Sequence, residues 1–492
     1  MLFATQSIRL DEAQTLWQTN RFPAGILHVV AQDVHVPLYH LAVHFWQLVF
    51  GNSIESVRNF SLLFFLISIP LVYRLGKETF VSTRVALMGC MIFSLSPFMN
   101  WYANEARMYS LLVFISLLNH YLFIRLRKSG SPMLWYAYTL SAIAGMYTHY
   151  FFVLILVTQI IFFLLNYRNF PKGAFVRFVL SAISVGFALL PWILYVRSLG
   201  SMSNSRPLLH SPTVVDIFTT LTQYLFGTQS VPINSFIVAL WPLIMLVWFF
   251  TLHKAQAKNI DSNYLIMLII LPIMITFFLS LLIRPVFEAR YLAYIFPAIG
   301  LLIASTIGNL GIGLRRIINV AIVASLSIAL VVLAENPNTP IKENYRGATE
   351  YLKIHATPSD VIIVSAPFTI YPLDYYYQGS TRITTLPLWD RYATGPIPPL
   401  QTADIERQVK EITGTYERVW LLLSYDQGYE SEIRNYFNNH YEMLEKKELS
   451  PNMSLALYKL RYDTSNIVTL TTNPLPIDNP GNKLGKRTAK KR

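Results

Sequence analysis

The chain has 492 residues, 53% of them hydrophobic and only 14% charged, against about 25% charged in ordinary soluble domains. That deficit excludes a soluble globular protein of this size. The net charge of +13 is scattered through short loops and the last ten residues, as orientation charge on a membrane protein is, and so does not mark a nucleic-acid-binding face. The single cysteine, Cys90, excludes an intrachain disulfide and sits in an apolar segment as a small hydrophobe.

In chain order, residues 1–57 read as an external acidic segment ending in an interfacial helix. Pro37 to Phe50 is apolar but too short to span, and carries His40, His44 and Trp46. Residues 58–334 read as a transmembrane helical domain. Stretches long enough to cross about 30 Å of hydrocarbon fall near 58–75, 84–101, 107–125, 134–148, 150–166, 174–196, 233–252, 262–284, 290–309 and 315–334. Lys and Arg clusters at 74–84, 125–128, 168–177, 254–258 and 315–316 occupy every second loop, which predicts a cytoplasmic side there. The turns at 101–107 and His149, the loop 197–232, the turn 284–290 and both termini are then external.

Residues 335–460 read as an external α/β domain. Strands are predicted at Val361–Ser365, Val419–Ser424 and Met453–Leu460, and helices at Tyr345–His355, Ala403–Thr413 and Tyr429–Asn439. Residues 461–492 read as a basic, disordered tail. The predicted fold class is thus a polytopic α-helical membrane protein with a small C-terminal soluble α/β domain. The predicted location is the inner or plasma membrane, crossed several times, with the working face on the external or periplasmic side.

Four polar motifs collect on that external side, where ionisable groups near lipid are costly. They are Asp11-Glu12, Asp33-Val34-His35, Asn104-Glu105-Ala106-Arg107-Met108-Tyr109, and Glu288-Ala289-Arg290-Tyr291. Each has a structural alternative. Acids favour a helix start, Asp33 before Pro37 suits a helix entry, Glu105 and Arg107 are able to pair with each other, and Arg290 is able to snorkel to headgroups. Together, carboxylates and an arginine at a membrane–water boundary suit one chemistry: Arg forks onto a phosphate and a carboxylate takes a proton from a hydroxyl. Tyr371, Tyr375, Tyr376 and Tyr377 form an aromatic cluster that is read as domain packing.

The sequence resembles the C-type (GT-C) superfamily of integral membrane glycosyltransferases, in its bacterial branch similar to protein O-mannosyltransferases and lipid A aminoarabinose transferases. The resemblance covers roughly residues 5–310 and rests on five motifs in order: Leu10-Asp11-Glu12, Asp33 to Tyr39, Asn104 to Leu111, Thr148-His149-Tyr150 and Arg290-Tyr291-Leu292. Val36 and Asn104 depart from the usual proline and glutamine.

This resemblance implies a hexosyl or pentosyl transfer from a polyprenyl-phosphate-linked donor to an acceptor hydroxyl on a lipid, glycan or protein. It implies Asp11 as base and Glu105 as the second catalytic acid, with Glu12, Asp33, His35, Arg107, Tyr109, His149, Arg290 and Tyr291 binding substrate; Arg290 takes the donor phosphate. His35 and Tyr39 would shape the pocket floor. No cofactor is assigned; a divalent cation near Glu105 is left open, although the sequence shows no tight ligand cluster. The relatives carry a span before the acidic pair, whereas only ten residues precede Asp11 here, so a truncated start is expected. The alternative functions are a transporter or lipid-linked sugar flippase, or an envelope-assembly scaffold; neither explains acids confined to one surface without an internal repeat.

Overall fold

The structure, a computed structural model, describes residues 7–199, 210–228, 234–240, 259–335, 343–392 and 397–460. It divides into two compact units. The first is Gln14–Lys342 together with short outlying pieces. The second is Glu343–Ala393 and Ile397–Arg492, and it also takes in Ser7–Ala13.

The first unit is helical. α1 (Leu10–Thr19), which begins in the residues of the second unit, α2 (Pro23–Ala31) and α3 (Leu38–Phe50) precede the first span, α4 (Ile54–Phe80). α3 buries Tyr39, His40, Val43 and Gln47 and exposes Phe45, Leu48, Val49 and Phe50. α5 (Thr83–Leu95) and α6 (Pro97–Ala103) were expected as one span but meet at a 61° bend. The cause is local: Pro97 denies Ser96 the helical region, and Ser96 takes φ −59, ψ 121 and caps α6 with its hydroxyl. Then follow α7 (Tyr109–Lys128), α8 (Pro132–Thr148), α9 (Phe152–Asn166), α10 (Ala174–Ser198), α11 (Val214–Phe226), α12 (Ile260–Leu282), α13 (Phe296–Gly308) and α14 (Ile312–Glu335).

Among the described residues seven helices are long and apolar enough to cross a membrane, or eight if the bent α5–α6 pair counts as one span. α8, read as a span, has 17 residues; most of the stretch expected at 233–252 lies outside the described residues, as does the tail. α7 is buried on nearly every side and is the central helix, whereas α14 exposes most of its surface.

Charged groups gather at one end of this bundle. Arg127 forks onto Asp261 with both contacts at 2.7 Å, Lys128 reaches Glu78 at 2.9 Å, and Asn259 donates to the Thr79 carbonyl at 3.0 Å. The basic loops after α4 and α7 and the start of α12 therefore share an end. Inside the bundle a second polar network ties α7, α8, α9 and α12. Gln159 donates to Asn119 at 2.7 Å and to Tyr264 at 3.0 Å, accepts from Tyr138 at 2.8 Å, and Tyr264 meets His120 at 2.7 Å.

In the second unit, a five-stranded sheet has the order β2-β1-β3-β5-β4. Its strands are β1 (Asp360–Ser365), β2 (Arg382–Thr385), β3 (Arg418–Ser424), β4 (Glu442–Ser450) and β5 (Met453–Lys459); β2, β1 and β3 run parallel and the last two antiparallel. Helices α15 (Tyr345–His355) and α16 (Ile370–Tyr376) pack on one face; α17 (Thr402–Thr413) and α18 (Glu430–His440) pack on the other. The three predicted strands are those buried on both faces, which read as continuous apolar runs. The two missed are edges: β2 is four residues long, and β4 alternates charges in Glu-Met-Leu-Glu-Lys-Lys-Glu, as exposed edges do.

Candidate active site

The end of the bundle opposite the charged cluster brings together residues from three distant stretches of the first unit. Asp33 follows α2 and is held by α1: its Oδ2 accepts from Gln14 at 2.9 Å and from Gln18 at 3.0 Å. His35 Nε2 lies 3.8 Å from that same carboxylate oxygen and accepts from Arg107 Nη2 at 2.8 Å. Arg107 also donates through Nη1 to Thr15 at 3.2 Å, so one guanidinium fork bridges α1 and the His35 loop.

The turn that carries Arg107 is almost wholly buried: Asn104 is 4% exposed, Glu105 1% and Arg107 3%. It is fixed on both sides. Asn104 donates to the Asn100 carbonyl at 2.8 Å, the Arg107 amide donates to the Glu105 carbonyl at 2.8 Å, and Ser61 of α4 donates to the Arg107 carbonyl at 3.3 Å. Arg58, one turn earlier on the same face of α4, is completely buried. None of the sequence motifs includes Arg58; its signal is that of a lone arginine inside the first turns of a span, a position that demands a polar environment.

His149 sits at the α8–α9 corner. The corner is tight because Gly145 has no side chain: a Cβ there would overlap the Phe152 ring. The Phe151 amide donates to His149 Nδ1 at 3.1 Å, and the ring lies 5.4 Å from Tyr291 and 6.5 Å from Tyr109. Burial, reinforced by His35, Arg107 and Arg290, pushes the His149 pKa well below the usual imidazole range, so the ring is neutral. His40 of α3 is depressed in the same way, first by burial and then by His35 and Arg107. Both of its ring nitrogens are buried, and the Val36 backbone is the hydrogen-bonding neighbour of the ring. Its ring stacks on His35 at 5.9 Å and meets Tyr39 edge-on at 5.7 Å.

Arg290 stands in a 3-10 turn, Ala289–Ile295, that opens α13. Its guanidinium lies 5.5 Å from the centre of the Tyr291 ring, and Tyr224 of α11 secures the turn by donating to the Ala289 carbonyl at 3.0 Å. Arg290, Tyr291, His149, Arg107, His35, Asp33, Tyr109 and Glu105 thus belong to one neighbourhood at one end of one unit. Asp11 and Glu12 belong to the second unit, in the first turn of α1, where Glu12 is completely buried and accepts from the Arg9 amide at 3.0 Å. Among the described residues no three His, Cys, Asp or Glu side chains are grouped to hold a metal ion.

Residues 34–195 match the family model of dolichyl-phosphate-mannose-protein mannosyltransferases. A search of curated proteins gave no match. Among solved structures, the chain is similar to ArnT from Cupriavidus metallidurans in its apo state, with TM-score 0.62, 12% identity, and coverage of 93% of this chain and 95% of that one. It is also similar to the same protein bound to undecaprenyl phosphate, with TM-score 0.58, 12% identity, and coverage of 86% and 88%. The chain therefore shares the fold of the Cupriavidus ArnT, and its residues 34–195 match the dolichyl-phosphate-mannose-protein mannosyltransferase model.

Proposed function

We propose that this protein transfers a sugar from a polyprenyl-phosphate donor to an acceptor hydroxyl on the external face of the membrane. The observation that carries this is the basic neighbourhood of Arg290, Arg107 and neutral His149 at one end of the apolar bundle. A donor with a lipid tail and a phosphate head needs such a place: lipid beside it for the tail, and an arginine fork for the leaving phosphate. The structure of the Cupriavidus protein with undecaprenyl phosphate supports a ligand of this class.

In this proposal Arg290 holds the donor phosphate, with Tyr291, Tyr109 and His149 around it. His149 donates or accepts as a neutral ring and adds no charge. Glu12, Asp33, His35 and Arg107 keep the substrate-binding loops in place, and Tyr39 shapes the floor. Glu105 orients the acceptor. Asp11 takes the hydroxyl proton as the oxygen attacks the anomeric carbon and the phosphate leaves with the bonding electrons. Whether the sugar is a hexose or a pentose is settled by experiment: the full chain in detergent is incubated with undecaprenyl phosphates carrying mannose, glucose, galactose, arabinose or aminoarabinose, with cell envelope as acceptor, and the consumed donor is read by mass spectrometry. Consumption of none of them overturns the proposal.

The polar network of Asn119, His120, Gln159 and Tyr264 favours a second reading, a transporter or flippase, because buried polar groups inside a bundle mark conducting paths. Movement of a fluorescent undecaprenyl-phosphate sugar across vesicles without chemical conversion would support it.

A further inference from the structure

In the second unit the chain passes from β1 outward to β2 and then back across to β3 on the other side of β1. Open sheets with this reversal bind their ligands in the crevice outside the carboxyl ends of the two strands that flank it. Here those ends are Ser365 and Ser424, joined by the Ala366 amide donating to the Ser424 carbonyl at 3.1 Å. Beyond them Phe368 and Tyr425 face each other edge-on at 5.9 Å, and Tyr425 has the left-handed φ of 58° that side chains rarely adopt.

A segment distant in sequence meets residues of this same unit. Ser7–Ala13 groups with this unit although more than three hundred residues separate it from the sheet. Ile8 is completely buried and donates its amide to the Tyr376 hydroxyl at 2.9 Å. Arg9 is close enough to Tyr425 to act on its phenol, which burial and then Glu343 push upward. Arg346 covers the other side of Tyr376, 5.5 Å from its ring centre. Domain packing does not require this segment: the two cores of the sheet are built from residues 345–460. Three residues after Ile8 comes Asp11.

We propose that the carboxyl edge of this sheet is a clamp for Ser7–Ala13, in which Tyr376 and Ile8 are positioning residues that hold Asp11 in working geometry. The inference rests on the assignment of Asp11 as base. It gives the α/β unit a part in catalysis and explains why a tyrosine of the aromatic cluster is placed at the end of α16.

The test is single-turnover transfer by the full chain, with whichever of the five undecaprenyl-phosphate sugars named above is consumed, and cell envelope as acceptor. Tyr376→Phe keeps the ring and removes the acceptor oxygen; Ile8→Ala removes the buried anchor. Each is expected to lower kcat about 3–10-fold, the scale of one neutral hydrogen bond or part of a side chain, with donor KM unchanged. In an Asp11→Asn background the same changes are expected to have no further effect, because residues that act through one group do not add. A wild-type kcat in Tyr376→Phe, or an equal loss in the Asp11→Asn background, overturns the clamp alone. A wild-type rate in Asp11→Asn overturns the base assignment and the clamp with it. Ile8→Ala that does not fold leaves Tyr376→Phe as the deciding variant.

Discussion

Arg107 donates to His35 across 72 positions of sequence at 2.8 Å, and through the other arm of its fork it donates to Thr15. This is the joint between the α6–α7 turn and the loop after α2. His35→Ala and Arg107→Ala are each expected to reduce transfer, and the double variant to lose less than the sum. A hydrogen bond to a charged group contributes about 1.5–3 kcal/mol, so the shortfall should be of that order. Strictly additive losses in rates measured at equal folded protein would show that the two residues act separately. Arg107→Lys is expected to rescue poorly, because a point charge serves one arm of the fork.

Arg290→Ala is expected to weaken donor use more than folding, by a factor equivalent to about 1.5–3 kcal/mol for a lost charge-assisted bond. Arg290→Lys should recover part of it. Titration with undecaprenyl phosphate alone checks this directly: normal affinity in Arg290→Ala removes the phosphate assignment.

For Asp11→Asn, transfer should fall by about 10²–10⁴ with membrane insertion and donor binding intact, the range for a positioned general base. Glu12→Gln is expected to be milder in chemistry but to loosen the first turn of α1, since Glu12 is buried on the Arg9 amide. Single-turnover rates for both decide the order. A larger loss in Glu12→Gln would move the base one residue along.

The depressed pKa of His149 makes stability depend on pH in a defined direction. The unfolded imidazole titrates at 6.5 and the folded one well below, so the folded state is favoured fully above pH 6.5. Below it the unfolded state binds the extra proton and stability falls, by up to about 1.4 kcal/mol per pH unit for one such group. His149→Gln is therefore expected to flatten the acid side of a thermal-stability profile between pH 6.5 and 4.5 while changing little at pH 8. An unchanged slope would mean that the ring is solvated. His40 should contribute a similar slope.

Sidedness is checked with a cysteine at the exposed position 350 in a Cys90→Ala background. A membrane-impermeant maleimide is expected to label Glu350→Cys on intact cells or spheroplasts. Labelling only after permeabilisation would place the α/β unit, and with it Asp11, on the cytoplasmic side.

Composition and run length by themselves determined that the chain crosses a membrane, because a long apolar helix has no other stable environment. They also located the three inner strands, since strands buried on both faces are continuous apolar runs, and the alternating basic loops, since charge cannot be drawn through lipid cheaply. The motifs named the residues near the site but gave each a structural alternative. Only the tertiary structure decided which of them meet. His35 and Arg107 lie in different loops, and no local pattern encodes a contact between them. The bend at Ser96, the buried Arg58 and the bonding of Asn119, Gln159 and Tyr264 within the bundle depend equally on which helices become neighbours. The attachment of Ile8 to Tyr376 is the extreme case: it joins one end of the sequence to a domain near the other, and only folding brings them within a hydrogen bond.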